Sequence, residues 1–374
     1  MARHYLDHAS TSPTRPEARA AMLEWLDRTG DPGRVHTEGR MVRVAIESAR
    51  EELAALVGAR PREIVFTSGA TEAANAAVWG AMATAPADEA SVALAAVEHS
   101  CVREASQRHR TAALPVDRFG RIDAESIKTV AGAALVHCQL ANHEVATVQP
   151  VEAAVEAAHA IGALVHVDAA TAAGHVAVSF RDLGADFMSL SGHKFGAPPG
   201  AGALVIRRGL RIAPLLVGGE QERGRRGGLE NVPAIAGLGA AASAVAAALA
   251  IEQASALART TRLLEGLTAV EGVTTYGDTS AGGRVPHIVC VGIDGVEAEA
   301  VLLGLDQAGI AAHSGSACSS ETLEPSPVLE AMGVDGQRSL RMSVGWSTTD
   351  EDITAAVSAF ADVVARLRAL ASPP

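Results

Sequence analysis

A lysine between two apolar runs is the first candidate for chemistry in this chain. Lys194 lies in residues 190–196, after the apolar run 186–190 and before the apolar run 202–206, with a glycine on either side of it. Burial lowers the pKa of a lysine, and the neutral amine that results can attack an aldehyde. A solvated turn lysine is the alternative reading of this segment taken alone.

An aspartate upstream of the lysine strengthens the chemical interpretation. Asp168 ends the apolar run 163–168, which is typical of a buried parallel strand, and ligand sites of open α/β sheets lie at the carboxyl ends of strands. Pyridoxal phosphate needs a lysine for its Schiff base and an acid that keeps the ring nitrogen protonated. Asp168 alone could instead cap a helix. Together with Lys194 it favours the cofactor site.

Two motifs resemble a known family. Residues 189–194 (Ser-Leu-Ser-Gly-His-Lys) are similar to the lysine signature of class-V aminotransferase-fold enzymes, and residues 315–320 resemble the sulfur-carrying loop of NifS/IscS-type cysteine desulfurases. The similarity runs in order from residues 5–7 to 348–353. It implies an α/β protein of PLP-dependent transferase fold type I. A large domain with a mainly parallel sheet is expected at residues 15–250, and a smaller α+β domain with the cysteine loop at residues 1–14 plus 251–374.

Local patterns predict the elements that must position these residues. Alternation of strands with helices indicates the βαβ arrangement of a mainly parallel sheet. Strands are expected at residues 64–67, 92–97, 134–140, 163–170, 186–190, 202–206, 287–291 and 339–345. Helices are expected at residues 16–27, 42–57, 73–82, 151–160, 232–267 and 297–308 and from residue 349 onward.

Composition narrows the class of protein. The 374 residues carry a net charge of −12, which argues against general binding to nucleic acid or an anionic membrane. Hydrophobic residues make up 48% and aromatic residues 3%, which indicates closely packed, alanine-rich helices. No apolar run is expected to approach the 18 residues of a membrane span, and no signal-peptide pattern is recognised. A cytoplasmic location is the expectation.

The four cysteines divide into two kinds. Cys138 and Cys290 lie in apolar strand-like runs, so we expect them to pack in the core, and Cys101 is also expected to be structural. Without CxxC spacing, neither a metal site nor a disulfide is predicted. Cys318 lies among small polar residues, which indicates an exposed loop suited to a thiolate nucleophile. A bystander thiol is the alternative.

The resemblance implies where the phosphate of pyridoxal phosphate binds. Ala70 and Thr71 follow the strand 64–67 at the start of a helix, where backbone N–H groups can approach a phosphate. Capping of that helix by Thr71 is an alternative explanation of the same pattern. Ser191 and His193 are implied as further phosphate ligands.

Other site residues are also implied by the resemblance. His99, at the end of the strand 92–97, would lie over the pyridoxal ring and move protons. His143 and Thr171 would lie at the phenolic oxygen of the ring. Asn142 and Arg341 are implied at the substrate, where a guanidinium can hold a carboxylate with two parallel hydrogen bonds.

Three positions depart from the family pattern. His143 stands where many members have asparagine, Thr171 replaces a glutamine, and Leu229 replaces a threonine that commonly reaches the neighbouring subunit's phosphate. The proton balance at the phenolic oxygen, and whether a phosphate contact crosses a dimer interface, stay open. Residues 218–228 are expected to be a mobile loop near that interface, or else a solvated linker.

The function implied by the resemblance is that of a homodimeric cysteine desulfurase. Lys194 would act as the base at the Cα of L-cysteine, and Cys318 would take the sulfur as a persulfide, leaving L-alanine. The sulfur would pass to an acceptor protein such as a scaffold for iron–sulfur cluster assembly or a thiolation enzyme. A selenocysteine lyase or another class-V lyase or aminotransferase is the alternative, and a non-catalytic scaffold is a third possibility.

Overall fold

The computed structural model describes residues 3–85, 90–130, 132–314 and 326–371. Its strands form two main sheets and one short pair. The strands are β1 (His4–Tyr5), β2 (Ile64–Thr67), β3 (Ser91–Ala95), β4 (Arg110–Leu114), β5 (Ala133–Gln139), β6 (Leu164–Asp168), β7 (Phe187–Ser191), β8 (Gly202–Ile206), β9 (Val273–Tyr276), β10 (Ile288–Ile293), β11 (Ile310–Ala311), β12 (His313–Ser314) and β13 (Ser339–Ser343).

Helices cover the faces of both sheets. They are α1 (Pro16–Leu26), α2 (Thr37–Leu56), α3 (Ala70–Met82), α4 (Ser100–Ser106), α5 (Val151–Ala160), α6 (Phe180–Leu183), α7 (Gln221–Gly224), α8 (Val232–Thr268), α9 (Ala298–Gln307), α10 (Pro327–Ala331) and α11 (Asp350–Ala371). The predicted strands and helices are confirmed in kind and order, with boundaries that differ by a few residues.

The larger sheet has seven strands in the order β2-β8-β7-β6-β5-β3-β4. Neighbours from β4 to β7 are parallel, whereas β8 is antiparallel to both β7 and β2. A parallel connection needs a crossover, but the short segment between β7 and β8 has none. It therefore turns back at the edge where the parallel strands end, and it carries Lys194 at that edge. The mainly parallel α/β fold is confirmed.

The smaller sheet is antiparallel, with strand order β12-β13-β10-β9. Its buried apolar cluster includes Leu6, Val291, Leu340 and Phe360 and is separate from the cluster around the seven-stranded sheet. Helix α8 contributes to both clusters, with Leu238 in the first and Leu263 in the second. The predicted boundary after residue 250 falls inside this helix and stays a prediction.

Helix α8 corrects one expectation from composition. Residues 232–251 form an uncharged, largely apolar run, so the statement that no run approaches 18 residues was wrong. By length and composition alone, α8 is the one helix in the described part of the chain that could cross a membrane. Leu238 and Val245 of α8 are buried in the main apolar cluster. The run therefore contributes a core helix to this fold.

Local capping explains two further differences. Helix α2 begins at Thr37 rather than residue 42, because the side chain of His36 accepts a hydrogen bond from the Gly39 N–H and caps the helix. Helix α3 begins at Ala70 rather than residue 73, with Gly69 as its N-cap. Thr71 therefore lies inside the first turn, and its proposed capping role is wrong.

The segment 218–228 is anchored, which differs from a solvated linker. Glu222 is buried and pairs with both terminal nitrogens of Arg50, each at 2.7 Å, and it also accepts the Phe66 N–H at 2.9 Å. Arg225 donates to the carbonyl of Ile64 at 3.1 Å. These bonds fix the segment to α2 and β2. They hold Glu222 at φ 48°, a conformation uncommon for a residue with a side chain.

This ion pair gives a stability prediction. Glu222→Gln leaves the buried Arg50 guanidinium without its matched charge, and Glu47 compensates only in part because it is partly exposed. We expect the free energy of unfolding in urea to fall by about 3 kcal/mol. The control is Glu125→Gln, which removes the exposed pair with Lys128 and should change stability by less than about 1 kcal/mol. Equal losses in the two variants would contradict the assignment.

Candidate active site

A cavity of about 500 Å³ lies where the parallel strands of the larger sheet end. It is lined by the described residues that the sequence predicted for the site, with one exception treated below. Those lining residues are Ala70, Thr71, His99, His143, Asp168, Thr171, Ser191, His193, Lys194 and Arg341. A larger groove of about 840 Å³ lies among α1, α2 and α8, but its wall is mostly apolar and alkyl side chains. The smaller cavity is therefore the site with chemistry.

Lys194 reaches this cavity from a 3₁₀ turn, Gly192–Lys194, that directly follows β7. Its Nζ donates a hydrogen bond to the carbonyl oxygen of Ala9. Its own carbonyl accepts from Ser12 Oγ at 3.0 Å and from His175 Nε2 at 3.1 Å. The amine thus lies in the cavity wall while the backbone of the same residue is held from behind. Lys128, the other lysine of the chain, lies outside the cavity lining and pairs with Glu125.

Asp168 ends β6, beside the strand that leads to the lysine. Its register partner on β7 is Ser189, whose Oγ donates to Asp168 Oδ1 at 2.9 Å. The Ala170 N–H donates to the same oxygen at 2.9 Å. Two donors on one oxygen fix the orientation of a carboxylate that is 8% exposed. The predicted acid and lysine, at the ends of adjacent strands, therefore both lie in this cavity.

The turn from β2 to α3 forms an anion cradle. Residues 68–71, which include the N-cap and the first two residues of α3, line the cavity. The first N–H groups of a helix lack intrahelical partners and favour a bound anion. A Cβ on Gly202 of β8 would lie 2.6 Å from Gly69 Cα, so this approach of β8 to the cradle requires glycine. Glu72 Oε2 accepts the Ser68 N–H at 2.8 Å, and Arg226 pairs with Glu72 at 2.9 Å. Burial raises the pKa of Glu72, but the bonds from Arg226 and Ser68 hold it below its usual value.

His193 and Ser191 line the same cavity. Burial, with the neighbouring Lys194 charge, lowers the pKa of His193 to about 4. Its Nδ1 lies 3.2 Å from Thr11 Oγ1. The imidazole is therefore neutral near pH 7 and offers a bound anion a hydrogen bond rather than a charge.

Two histidines and a thiol form one wall of the cavity. His99 caps α4 by accepting the Cys101 N–H at 3.2 Å, and Cys101 Sγ lies 3.1 Å from the same Nδ1. The ring of His99 meets His143 edge to face, with centroids 5.0 Å apart. Cys138 and Cys290 are buried as expected, but Cys101 lines the cavity rather than serving only in packing. Its position two residues after the strand-end His99 was the signal for this.

Arg341 occupies the middle of β13 and is 1% exposed. Its terminal nitrogens donate to the His143 carbonyl at 2.9 Å, to Asp7 at 3.0 Å and to Ser10 Oγ at 2.8 Å. Its Nε has no hydrogen-bond partner among the described residues. The guanidinium is thus held in the cavity wall by an ion pair with the partly buried Asp7. Its role toward a substrate carboxylate stays a prediction.

Asn142 is the described site residue that does not line the cavity. It is fully buried, and its Oδ1 accepts the N–H groups of Glu144 and Val145, each at 2.8 Å. Its Nδ2 donates to the Val97 carbonyl at 3.1 Å. In this structure the amide holds the turn that presents His143, instead of pointing to the substrate as expected.

Cys318 lies outside the described residues, but both ends of its segment meet the site. His313 of β12 pairs with Arg341 across the smaller sheet. Ser326 caps α10 and donates its hydroxyl to Glu144, the residue after His143. The described residues on either side of the cysteine segment therefore contact Arg341 and the residue next to His143.

Comparisons with known proteins identify the family of this chain. A family model described as aminotransferase class-V matches residues 4–356. A cysteine desulfurase of Trichormus azollae is 38% identical over 98% of this chain and 94% of its own length. A solved NifS-like protein aligns with a TM-score of 0.90 at 28% identity, covering 98% of this chain and 100% of that one. The solved structure of SspA in complex with cysteine aligns with a TM-score of 0.80 at 28% identity, over 92% and 100%.

Glu98, next to His99, gives a prediction on pH dependence. It is 1% exposed, and its Oε2 has no hydrogen-bond partner among the described residues. Burial raises its pKa to about 8, a rise that the Gln139 N–H bond opposes and Asp168 supports. An unfolded glutamate titrates near pH ~4.3. Between these values the folded protein holds one more proton than the unfolded chain, so this group makes stability fall as pH rises.

We expect Glu98→Gln to remove this dependence. The urea midpoint of wild type should fall relative to the variant as the pH rises from about 5 to about 8. Glu104→Gln, an exposed position on α4, is the matched control and should run parallel to wild type. A constant difference between Glu98→Gln and wild type over this range would show that Glu98 is already ionised in the folded protein.

Proposed function

The chain belongs to the aminotransferase class-V family, and from this premise we propose that it is a pyridoxal-phosphate-dependent cysteine desulfurase. It converts L-cysteine to L-alanine and takes the sulfur as a persulfide on Cys318. The observation that carries the proposal is the meeting of Lys194, Asp168 and the anion cradle in one cavity. Near full-length similarity to a cysteine desulfurase supports the substrate class.

The residues present fit pyridoxal phosphate. The cradle at residues 68–71, with Ser191 and the neutral His193, offers N–H and O–H donors to a phosphate. Asp168 is oriented by two hydrogen bonds and faces the cavity that Lys194 also lines. When bound, this cofactor supplies an aldehyde for the lysine and a ring that withdraws electrons from the substrate Cα.

The side chains of this chain have separate tasks in the reaction. Lys194 would hold the cofactor through its amine and would serve as the base that removes the Cα proton. Asp168 would hold a proton at the ring nitrogen, and His99, which lines the cavity, would move protons. Arg341 holds the substrate carboxylate, an assignment that its position in the cavity wall supports.

His143 and Thr171 are proposed as partners of the ring's phenolic oxygen. Both are buried and both line the cavity. Because the rings of His143 and His99 are in contact, a substitution of one alters the environment of the other. This arrangement replaces two amides of the family pattern, and it would give the bound cofactor a different proton balance.

Cys318 is proposed as the sulfur-accepting nucleophile. Its segment is tied at one end to the strand that carries Arg341 and at the other to Glu144. We further propose that the protein acts as a homodimer and hands the sulfur to an acceptor protein, either an iron–sulfur scaffold or a thiolation enzyme. Leu229, at the position where family members contact the neighbouring subunit, is 62% exposed, which fits a surface that a second copy covers.

The test compares Cys318→Ala with Lys194→Ala. Cys318→Ala should keep the visible absorbance of the lysine-bound cofactor but lose alanine formation from L-cysteine, because the thiol that takes the sulfur is missing. Lys194→Ala should lose both, because it also removes the amine that binds the cofactor. Alanine is measured with a thiol reductant present, so that wild type turns over.

Retained sulfur release in Cys318→Ala would instead favour the alternative, a selenocysteine lyase or another class-V lyase. Turnover of selenocysteine and cysteine by that variant would then separate these two activities. A wild-type protein that never gains visible absorbance with added pyridoxal phosphate would contradict the enzymatic proposal as a whole.

A further inference from the structure

The N-terminal segment binds the lysine turn through an unbroken row of hydrogen bonds. Four consecutive carbonyls, those of residues 193–196, each accept a hydrogen bond from Ser12 or Arg15. The bonds run from Ser12 N to His193 O (2.8 Å), Ser12 Oγ to Lys194 O (3.0 Å), Arg15 Nε to Phe195 O (2.9 Å) and Arg15 N to Gly196 O (2.8 Å).

Arg15 is itself held rigidly. It is 6% exposed, and its two terminal nitrogens pair with the two carboxylate oxygens of Glu252 on α8 at 2.8 and 2.6 Å. Its stem fills the space beside Gly196, where a Cβ would lie 2.6 Å from Arg15 Cγ. Gly196 has φ +93°, so the turn and the arginine stem fit each other. A fixed guanidinium therefore presents its Nε to the turn.

Ser12 is fixed from the other side. Its Oγ lies 3.0 Å from His8 Nδ1, which can donate to it while the hydroxyl donates to Lys194. Burial lowers the pKa of His8 to about 4, so the imidazole is neutral and keeps one N–H near pH 7. The same segment supplies the Ala9 carbonyl that accepts from Lys194 Nζ.

These bonds matter because a long side chain magnifies backbone freedom. A lysine side chain has many rotamers, and a misplacement of about 1 Å can cost a catalytic group ~10²-fold in rate. The turn's own closing bonds are few: the N–H groups of Phe195 and Ala197 both donate to the Gly192 carbonyl. The bonds from outside are therefore what define the path of the main chain at the lysine.

We propose that Arg15 and Ser12 are positioning residues for Lys194, and that Glu252 of α8 orients Arg15. Arg15 and Ser12 do not line the cavity, so they act on the reaction through the backbone of Lys194. The inference rests on the proposed function only in that Lys194 is the residue that binds the cofactor. It links α8, by way of one ion pair, to the catalytic amine.

The test uses Arg15→Gln and Arg15→Lys. Arg15→Lys keeps a positive charge beside Glu252 but loses the Nε–H that binds the Phe195 carbonyl. In cofactor-free protein, both variants should exchange the amide hydrogens of Phe195 and Ala197 faster than wild type. On addition of pyridoxal phosphate, both should form the Lys194 imine about tenfold more slowly, as followed by visible absorbance.

Arg121→Gln is the matched control, since Arg121 also pairs with a largely buried carboxylate, Asp278, but lies outside the cavity lining. It should lower the melting temperature without changing exchange in the turn or the rate of imine formation. Ser12→Ala is a second, milder variant. It removes the hydroxyl that donates to the Lys194 carbonyl and contacts His8 Nδ1, but it keeps the bond from the Ser12 N–H to His193, and it should show the same two effects at smaller size.

Two results would overturn the proposal. One is an Arg15→Lys protein that matches wild type in both measurements, which would reduce Arg15 to an ion pair. The other is a set of variants that lose melting temperature while Lys194 reacts at the wild-type rate. If wild type itself forms no imine, the proposed function fails, and the amide exchange of the cofactor-free protein alone decides whether Arg15 and Ser12 hold the turn.

Discussion

The pairing of β6 with β7 is the constraint on which the site depends. Their parallel register sets Asp168 beside Ser189, and the hydrogen bond between these side chains fixes the carboxylate at 2.9 Å. Five residues after Ser189 the chain reaches Lys194, before β8 turns back antiparallel to β7. A one-residue slip in this register would turn the side chains of one strand to the opposite face. Acid and amine reach one cavity because two buried strands pair in a single way.

The sequence was sufficient for this central part of the molecule. The apolar runs that flank Lys194, and the run that ends at Asp168, are short and bounded by small residues. They therefore predict strands without knowledge of the strands they pair with. The run 92–97 placed His99 at a strand end in the same way, and parallel strands end at one edge, where Asp168 also lies. Motif resemblance then supplied residues that runs cannot identify, such as His193 and Arg341, and both of these line the cavity.

What the sequence did not predict depends on contacts between distant residues. Glu222 looked like part of a solvated loop, and only its pairing with Arg50 across 172 positions shows that it is buried. Asn142 was expected to contact a substrate, but its side-chain amide forms hydrogen bonds with three backbone groups of nearby residues. Cys101 looked like a packing residue until the fold placed it against His99. Local pattern gives the type of an element, and tertiary contact decides the use of a side chain.

The most direct test of the account is to identify the amine that binds the cofactor covalently. The chain has two lysines, Lys194 in the cavity and Lys128 outside its lining, so the experiment has an internal control. Protein incubated with pyridoxal phosphate is reduced with borohydride, digested, and its peptides are measured by mass spectrometry. The account predicts a pyridoxyl-phosphate adduct on the peptide with Lys194 and an unmodified Lys128. Equal labelling of both lysines, or no adduct at Lys194, would contradict it.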